Sequence, residues 1–205
     1  MDATPYVSAI LLAAGLSSRM GDKHKLLLRL GGKSVVRLTA ENVVRSAAAE
    51  TIVVVGANQT AIVQELTGLD LKLVYNPLFE QGMSTSLQAG LTRVAPEAEA
   101  VLVILADQPN LTAQTINLFA QAFQASGKSI VAGHYGPVTG NPALFSRKYF
   151  AELQALRGDI GAKSIVHRHA DRVHLIDLPE EATLDIDRPE DYERARAILK
   201  TKCAR

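Results

Sequence analysis

The sequence predicts an α/β protein built on a parallel sheet with helices on both faces. Two observations carry this. Short apolar, β-branched runs (Val7–Leu12, Thr51–Val55, Leu71–Tyr75, Val101–Leu105) alternate with helix-length stretches. These runs read as buried strands, which parallel sheets require because helices cover both faces. A third observation points to function. Val7–Leu12 runs into Ala13-Ala14-Gly15, and the loop that follows carries Arg19, Gly21, Lys23 and Lys25. Small residues let backbone N–H groups approach a ligand, and the basic side chains add positive charge, which together make a phosphate site.

The common phosphate loops do not fit. G-x-G-x-x-G is missing, because the glycines are Gly15 and Gly21, and Gly21 is followed by Asp22 rather than by Lys-Ser/Thr. The 205 residues suit one domain, taken as 1–205, and 47% apolar content supplies a core. A net charge of +1 argues against a general polyanion binder, so no nucleic-acid partner is expected and phosphate recognition must be local. The single cysteine, Cys203, permits neither an intrachain disulfide nor a cysteine zinc site, which fits a reducing cytoplasm. No apolar run approaches the roughly 18 residues of a membrane span, and the N-terminus lacks a secretory pattern.

Along the chain, Ser34 is a candidate cap for a helix from Val35 to about Ala47. Ala61–Leu66 reads as helix, and Asn76-Pro77 stops the third strand. Ser84 is a candidate cap for a helix through about Val94, where Gly82 and the serines offer free N–H groups to a polar ligand. Val101–Leu105 is the clearest central strand, and Asp107 stands at its carboxyl end, where open α/β sheets bind ligands. A carboxylate there suits Mg²⁺. Its rival role, helix capping, falls better to Thr112 before the helix Ala113–Ala125.

Ser129–Ala132 reads as a strand, the glycine-bearing 133–142 stretch as a flexible loop with His134 exposed, and Arg147–Leu156 as helix. Gly158 and Asp159 read as the end of one helix and the cap of the next. His167 and His169 are two apart on a predicted helix and do not share a face, which argues against a zinc pair. Val173–Leu178 is a last strand. Asp185 and Asp187 point the same way on an extended piece. Asp187 reads equally as a metal ligand or as the cap of the final helix, with Glu190 as capping-box partner.

The segments LLAAGLSSRMGDKHKLLL, QGMSTSLQAGL, ADQP, GNPALF, RGDIGAK and LDIDRPEDY cover nearly the whole chain. Together they resemble the MobA-like nucleotidyltransferases, and most closely the molybdenum cofactor cytidylyltransferases. The resemblance implies a three-layer α/β/α, Rossmann-like (GT-A-like) fold with a mostly parallel sheet. It implies transfer of CMP from CTP onto the phosphate of molybdenum-bearing molybdopterin, with loss of pyrophosphate. Residue by residue, it implies that Ala13, Ala14 and Gly15 approach the nucleotide and that Gly82 and Ser86 lie near the base. Arg19 and Lys25 would meet the phosphates, and Asp107 would bind Mg²⁺ with Asp187 as second carboxylate and Asp185 as the weaker candidate. Gly140, Asn141, Asp159 and Lys163 would face the acceptor. Lys23 rivals Lys25, because the family lysine commonly follows Met-Gly by a shorter spacing. Asn141 stands where relatives tend to have histidine, and Lys163 where arginine is common.

Ala13-Ala14-Gly15 resembles the cytidylyl rather than the guanylyl members. Rival readings are guanylyl or cytidylyl transfer to another phosphorylated or sugar acceptor, and a non-catalytic carrier that serves a molybdoenzyme of the xanthine dehydrogenase type. A dinucleotide-dependent oxidoreductase is disfavoured by the missing glycine fingerprint.

Overall fold

A computed structural model describes residues 4–16 and 24–203. Its centre is a seven-stranded sheet in the order β5-β4-β1-β6-β8-β7-β9. Strands β1 (Val7–Ala13), β4 (Glu50–Val55), β5 (Lys72–Tyr75) and β6 (Ala100–Leu105) are parallel, as the apolar runs predict. Strand β8 (Val138–Ser146) is antiparallel to both its neighbours, β6 and β7 (Ile130–Tyr135), and β9 (Val173–Asp177) lies parallel to β7. A two-stranded ribbon, β2 (Arg29–Leu30) and β3 (Lys33–Ser34), stands apart.

Side-chain alternation along the central strands feeds two cores. Ala9, Leu11 and Ala13 of β1, Val53 and Val55 of β4, and Leu102 and Ile104 of β6 point to one face. There they meet α1 (Val35–Val44), α2 (Gln59–Glu65), α4 (Ala113–Ser126) and α7 (Pro189–Cys203) through residues such as Val36, Ile62, Phe119 and Ala195. Ile10, Ile52, Val54, Val101 and Val103 point to the other face, against α3 (Met83–Leu91), α5 (Phe150–Ala155) and α6 (Lys163–Arg168). The result is the expected three-layer α/β/α sandwich. Helix α3 sits close on β1 because Gly90 has no side chain: a Cβ there would lie 2.6 Å from Ile10 Cγ2.

Local expectations meet mixed outcomes. Ser34 and Thr112 cap α1 and α4, accepting from the Arg37 and Thr115 N–H groups. Helices α1 and α3 stop about one turn earlier than expected, at Val44 and Leu91. Ser84 is not the cap of α3. Gly82 holds that place with φ of +107°, and Ser84 is buried inside the helix. The 133–142 stretch is not a flexible loop but a β-hairpin, turning at Gly136-Pro137 between β7 and β8. His134 is accordingly half-buried in β7 and contacts the Thr139 hydroxyl through Nδ1.

Candidate functional site

The site lies where three chain segments meet at the carboxyl ends of β1 and β6. Backbone hydrogen bonds fix them. Ala106 N–H donates to the Leu12 carbonyl at 3.1 Å, Ala57 N–H to Ala14 at 3.3 Å, and Ile186 N–H to Asp107 at 3.1 Å. The Thr39 hydroxyl of α1 donates to the Ala106 carbonyl at 3.1 Å. Residues far apart in sequence are thereby brought to one strand end, as open α/β sheets generally do.

At this junction the Lys25 ammonium donates to Asp107 Oδ2 at 2.5 Å and to Asp187 Oδ1 at 2.7 Å. Lys25 precedes a buried residue, Leu26, in a short 3-10 turn (Lys25–Leu27) that aims its side chain inward. Burial works against the Lys25 charge, but the two carboxylates outweigh it and hold its pKa above the ordinary lysine value. Burial also raises Asp107, although Lys25 opposes it. The other oxygen of Asp107, Oδ1, is buried without a hydrogen-bond partner among the described residues.

Asp185 does not share in this bridge. Its Oδ1 accepts from Gln108 Nε2 at 2.7 Å, and its pKa is pushed up to about 7, first by burial and then by the charge of Asp107. The two carboxylates therefore have different partners, although they face the same strand end. The cap expectation for Asp187 is corrected in part. Asp191, not Glu190, accepts from the Asp187 and Arg188 N–H groups at 3.2 and 2.9 Å.

Beside the bridge opens a cavity of about 470 Å³. Ala14, Gly15, Lys25, Gly82, Ser86, Asp107 and Asp159 all line it, with Leu16, Phe79 and Met83 supplying apolar wall. Ala13 ends β1 beneath it, buried. Arg19 and Lys23 lie outside the described residues. His24 stands with Nε2 3.1 Å from the Gly15 carbonyl, and burial lowers its pKa. A neutral ring with its proton on Nε2 satisfies that contact.

Asp159 caps a different helix from the one its sequence position suggests. Its Oδ1 accepts from Met83 N–H at 3.3 Å, and the Gly158 carbonyl accepts from Ser84 N–H at 3.2 Å. Two of the N–H groups at the start of α3 are therefore already taken by the 158–159 turn. Gly82 permits this approach, since a Cβ there would sit 2.5 Å from the Gly158 carbonyl carbon. Asp159 thus stands on the same cavity wall as Gly15 and Ser86. Gly140 and Asn141 are on β8, and the aliphatic stem of Lys163 lies along Gly140, 3.5 Å from where its Cβ would be.

Some cavity-shaping residues carry no motif signal. Phe79 packs into the space that Gly56 leaves open, and its Cβ would be only 2.7 Å from a side chain there. Asn76, read above only as a strand stop, is buried and donates from Nδ2 to the Thr85 and Ser86 hydroxyls at 2.9 and 3.0 Å. Because Ser86 accepts from Asn76, its own hydroxyl proton is available to a group in the cavity. The only hint in the sequence is a polar residue at a strand end ten residues before a serine.

Among the described residues no three His, Cys, Asp or Glu side chains gather into a metal-holding group. His167 is exposed, and His169 engages Glu152 at 2.9 Å. A divalent cation near Asp107 would thus draw on two carboxylates and take its remaining oxygens from substrate and water. Mg²⁺ commonly binds in this way in phosphate-transfer sites. The unpartnered Asp107 Oδ1 and an all-oxygen donor set fit that ion. No described helix is long and apolar enough to cross a membrane.

Comparison with known proteins agrees with this architecture. The chain is similar to the nicotine blue oxidoreductase of Paenarthrobacter nicotinovorans, with 29% identity over 93% of this chain and 96% of that protein. It is similar to the molybdenum cofactor cytidylyltransferase of Escherichia coli, with 24% identity over 93% and 95% of the two chains. Among solved structures, the Rv0371c complex with manganese from Mycobacterium tuberculosis superposes with a TM-score of 0.78 at 27% identity, covering 94% of this chain and 98% of that one. The model of the MobA-like NTP transferase domain matches residues 9–173. The chain, with its mostly parallel sheet and its cavity at the ends of β1 and β6, belongs to that nucleotidyltransferase family.

Proposed function

We propose that the protein, acting as one domain over residues 1–205, moves CMP from CTP onto the phosphate of molybdenum-bearing molybdopterin. The product is the cytosine dinucleotide form of the cofactor, and pyrophosphate is released. One observation carries the reading: Lys25, Asp107 and Asp187 converge within hydrogen-bond distance at a strand end, beside a cavity that Ala14, Gly15, Gly82 and Ser86 line. The E. coli relative's name supports the acceptor and the base, and the manganese complex supports a divalent ion.

In the reaction, an oxygen of the acceptor phosphate attacks the α-phosphorus of CTP. The bond from that phosphorus to the β-phosphate oxygen breaks, and pyrophosphate leaves with the electron pair. Such transfer needs positioning and charge neutralisation more than a covalent nucleophile. The backbone of Ala13, Ala14 and Gly15 approaches the nucleotide, while Gly82 and Ser86 flank the base. Lys25 meets the α-phosphate, and Arg19 meets the β- and γ-phosphates. Asp107 and Asp187 hold Mg²⁺. The chemistry that ion supplies is neutralisation of phosphate charge. Gly140, Asn141 and Lys163 on the hairpin side face the acceptor, and Asp159 orders the junction between the two sides. The product is destined for a molybdoenzyme of the xanthine dehydrogenase type in the cytoplasm, where a lone cysteine stays reduced.

A second reading, oxidoreduction, comes from the name of the Paenarthrobacter relative. The missing glycine fingerprint and the lysine–carboxylate bridge favour phosphoryl chemistry instead. Pyrophosphate release separates the readings. The protein is supplied with Mg²⁺ and, in turn, CTP, GTP, ATP and UTP, with and without molybdenum-loaded molybdopterin. Release with CTP only when the cofactor is present is expected. Release with GTP alone would move the base assignment, and tight cofactor binding without any release would favour a carrier.

A further inference from the structure

We propose that Lys25 is a resident counter-ion for Asp107 and Asp187 that must be exchanged for the divalent cation, so that the cation enters together with the nucleotide and not before it. The inference rests on the reading of this site as a metal-dependent nucleotide site, and deepens it.

The geometry sets up the competition. Two oxygens at 2.5 and 2.7 Å from one nitrogen lie no more than about 5.2 Å apart. Octahedral Mg²⁺ asks for oxygens about 3–4 Å apart, so only a small side-chain shift would bring them into range. With the ammonium on Asp107 Oδ2 and Asp187 Oδ1, a cation would reach Asp107 only through Oδ1, and two positive ions that close repel strongly in a partly buried site. Neither a free cation nor Lys25 can hold both carboxylates while the other is there.

A triphosphate resolves the conflict. Lys25 lines the cavity, its side chain 17% exposed, and its flexible stem carries three donors. Phosphate oxygens arriving in the cavity offer the ammonium an alternative anion within reach of that stem. Once Lys25 turns to them, Asp107 and Asp187 lose its charge, and the cation replaces it on both. The carboxylates keep a cationic partner at each stage: one ammonium before, and a dication after, with the ammonium then on phosphate. Nucleotide and cation therefore bind with positive coupling.

The test uses Mn²⁺ alone, without nucleotide or acceptor, and follows free Mn²⁺ by electron paramagnetic resonance. Lys25→Met should bind Mn²⁺ about tenfold more tightly than the wild type, a coupling of ordinary size. Lys25→Arg, which keeps the charge, should stay as weak as the wild type. Adding Asp107→Asn to Lys25→Met should abolish the gain. If the Met variant does not fold, Lys25→Gln takes its place, since its amide can still donate to a carboxylate. Equal Mn²⁺ affinity in the wild type and the neutral variants, lost on Asp107→Asn, would overturn the exchange while leaving the metal site standing. Mn²⁺ binding indifferent to Asp107→Asn would overturn both.

Discussion

Two stretches of small residues follow buried strands, and they have opposite fates. After β1 ends at Ala13, Ala14-Gly15 leaves the sheet and lines the cavity. After Ala132, the 133–142 stretch stays in the sheet as the β7–β8 hairpin. The difference lies in the available edges. Strand β1 is flanked by β4 and β6 along its length, so the chain beyond it has no ladder to join. Strand β7 has β9 on one side and an edge on the other, which the chain fills by turning back on itself. The small residues there serve packing and register. A Cβ at Gly133 would lie 3.0 Å from Leu178 Cδ1, and the register shifts between Ala132 and Gly133. Small residues mark where side chains must be absent. Strand neighbours decide whether the backbone there is loop or ladder.

If the cavity side carries the nucleotide chemistry and the small residues of the hairpin chiefly set packing and register, substitutions on the two sides should differ in kind. The largest effect is expected for Asp107→Asn, which should lower kcat about a hundredfold or more while leaving the melting temperature close to wild type. Full turnover would remove Asp107 from the site. Next comes Gly82→Ala. Its φ of +107° and a Cβ 2.5 Å from Gly158 leave no room, so urea unfolding should show a loss of about 3 kcal/mol. A loss below about 1 kcal/mol would mean that the 158–159 turn is not wedged against α3.

Asp185 gives a pH-dependent version of the contrast. Its folded pKa of about 7 stands above the reference value of 3.8, so the folded state holds this proton more tightly than the unfolded one. Its contribution therefore weakens stability as pH rises from about 4 to about 7. Asp185→Asn retains an oxygen for Gln108 and cannot ionise. It should gain on the wild type across that window, by roughly 4 kcal/mol at most at neutral pH, and gain nothing below about pH 4. A constant difference at all pH values would contradict the assignment. The smallest effect is expected on the hairpin. Gly140→Ala would put a methyl group at an ordinary 3.5 Å from Lys163 Cδ, so a stability change under about 1 kcal/mol is expected. A loss matching that of Gly82→Ala would erase the distinction.

The sequence made legible what depends on local pattern and on strand ends. Continuous apolar runs placed the parallel strands. The Ser34 and Thr112 caps follow from residue type, and the place of Asp107 just past the end of β6 follows from the apolar run before it. What stayed hidden depends on long-range partners. Nothing near Asp159 indicates that its carboxylate reaches back to the Met83 N–H. Likewise, local pattern left Asp187 open between cap and ligand, and the contact with Lys25, so distant in sequence, separates it from Asp185. Local pattern does not reveal the hairpin, because glycine spacing signals loop and packed strand alike.

The most direct test follows the phosphorus atoms of CTP through one turnover with molybdenum-loaded molybdopterin. CTP is labelled at the α-phosphorus in one sample and at the γ-phosphorus in another. Nucleotidyl transfer at the Lys25–Asp107–Asp187 centre predicts the α-label in the enlarged cofactor and the γ-label in pyrophosphate, with both lost in Asp107→Asn. Both labels remaining in CTP while the cofactor is bound would contradict the account.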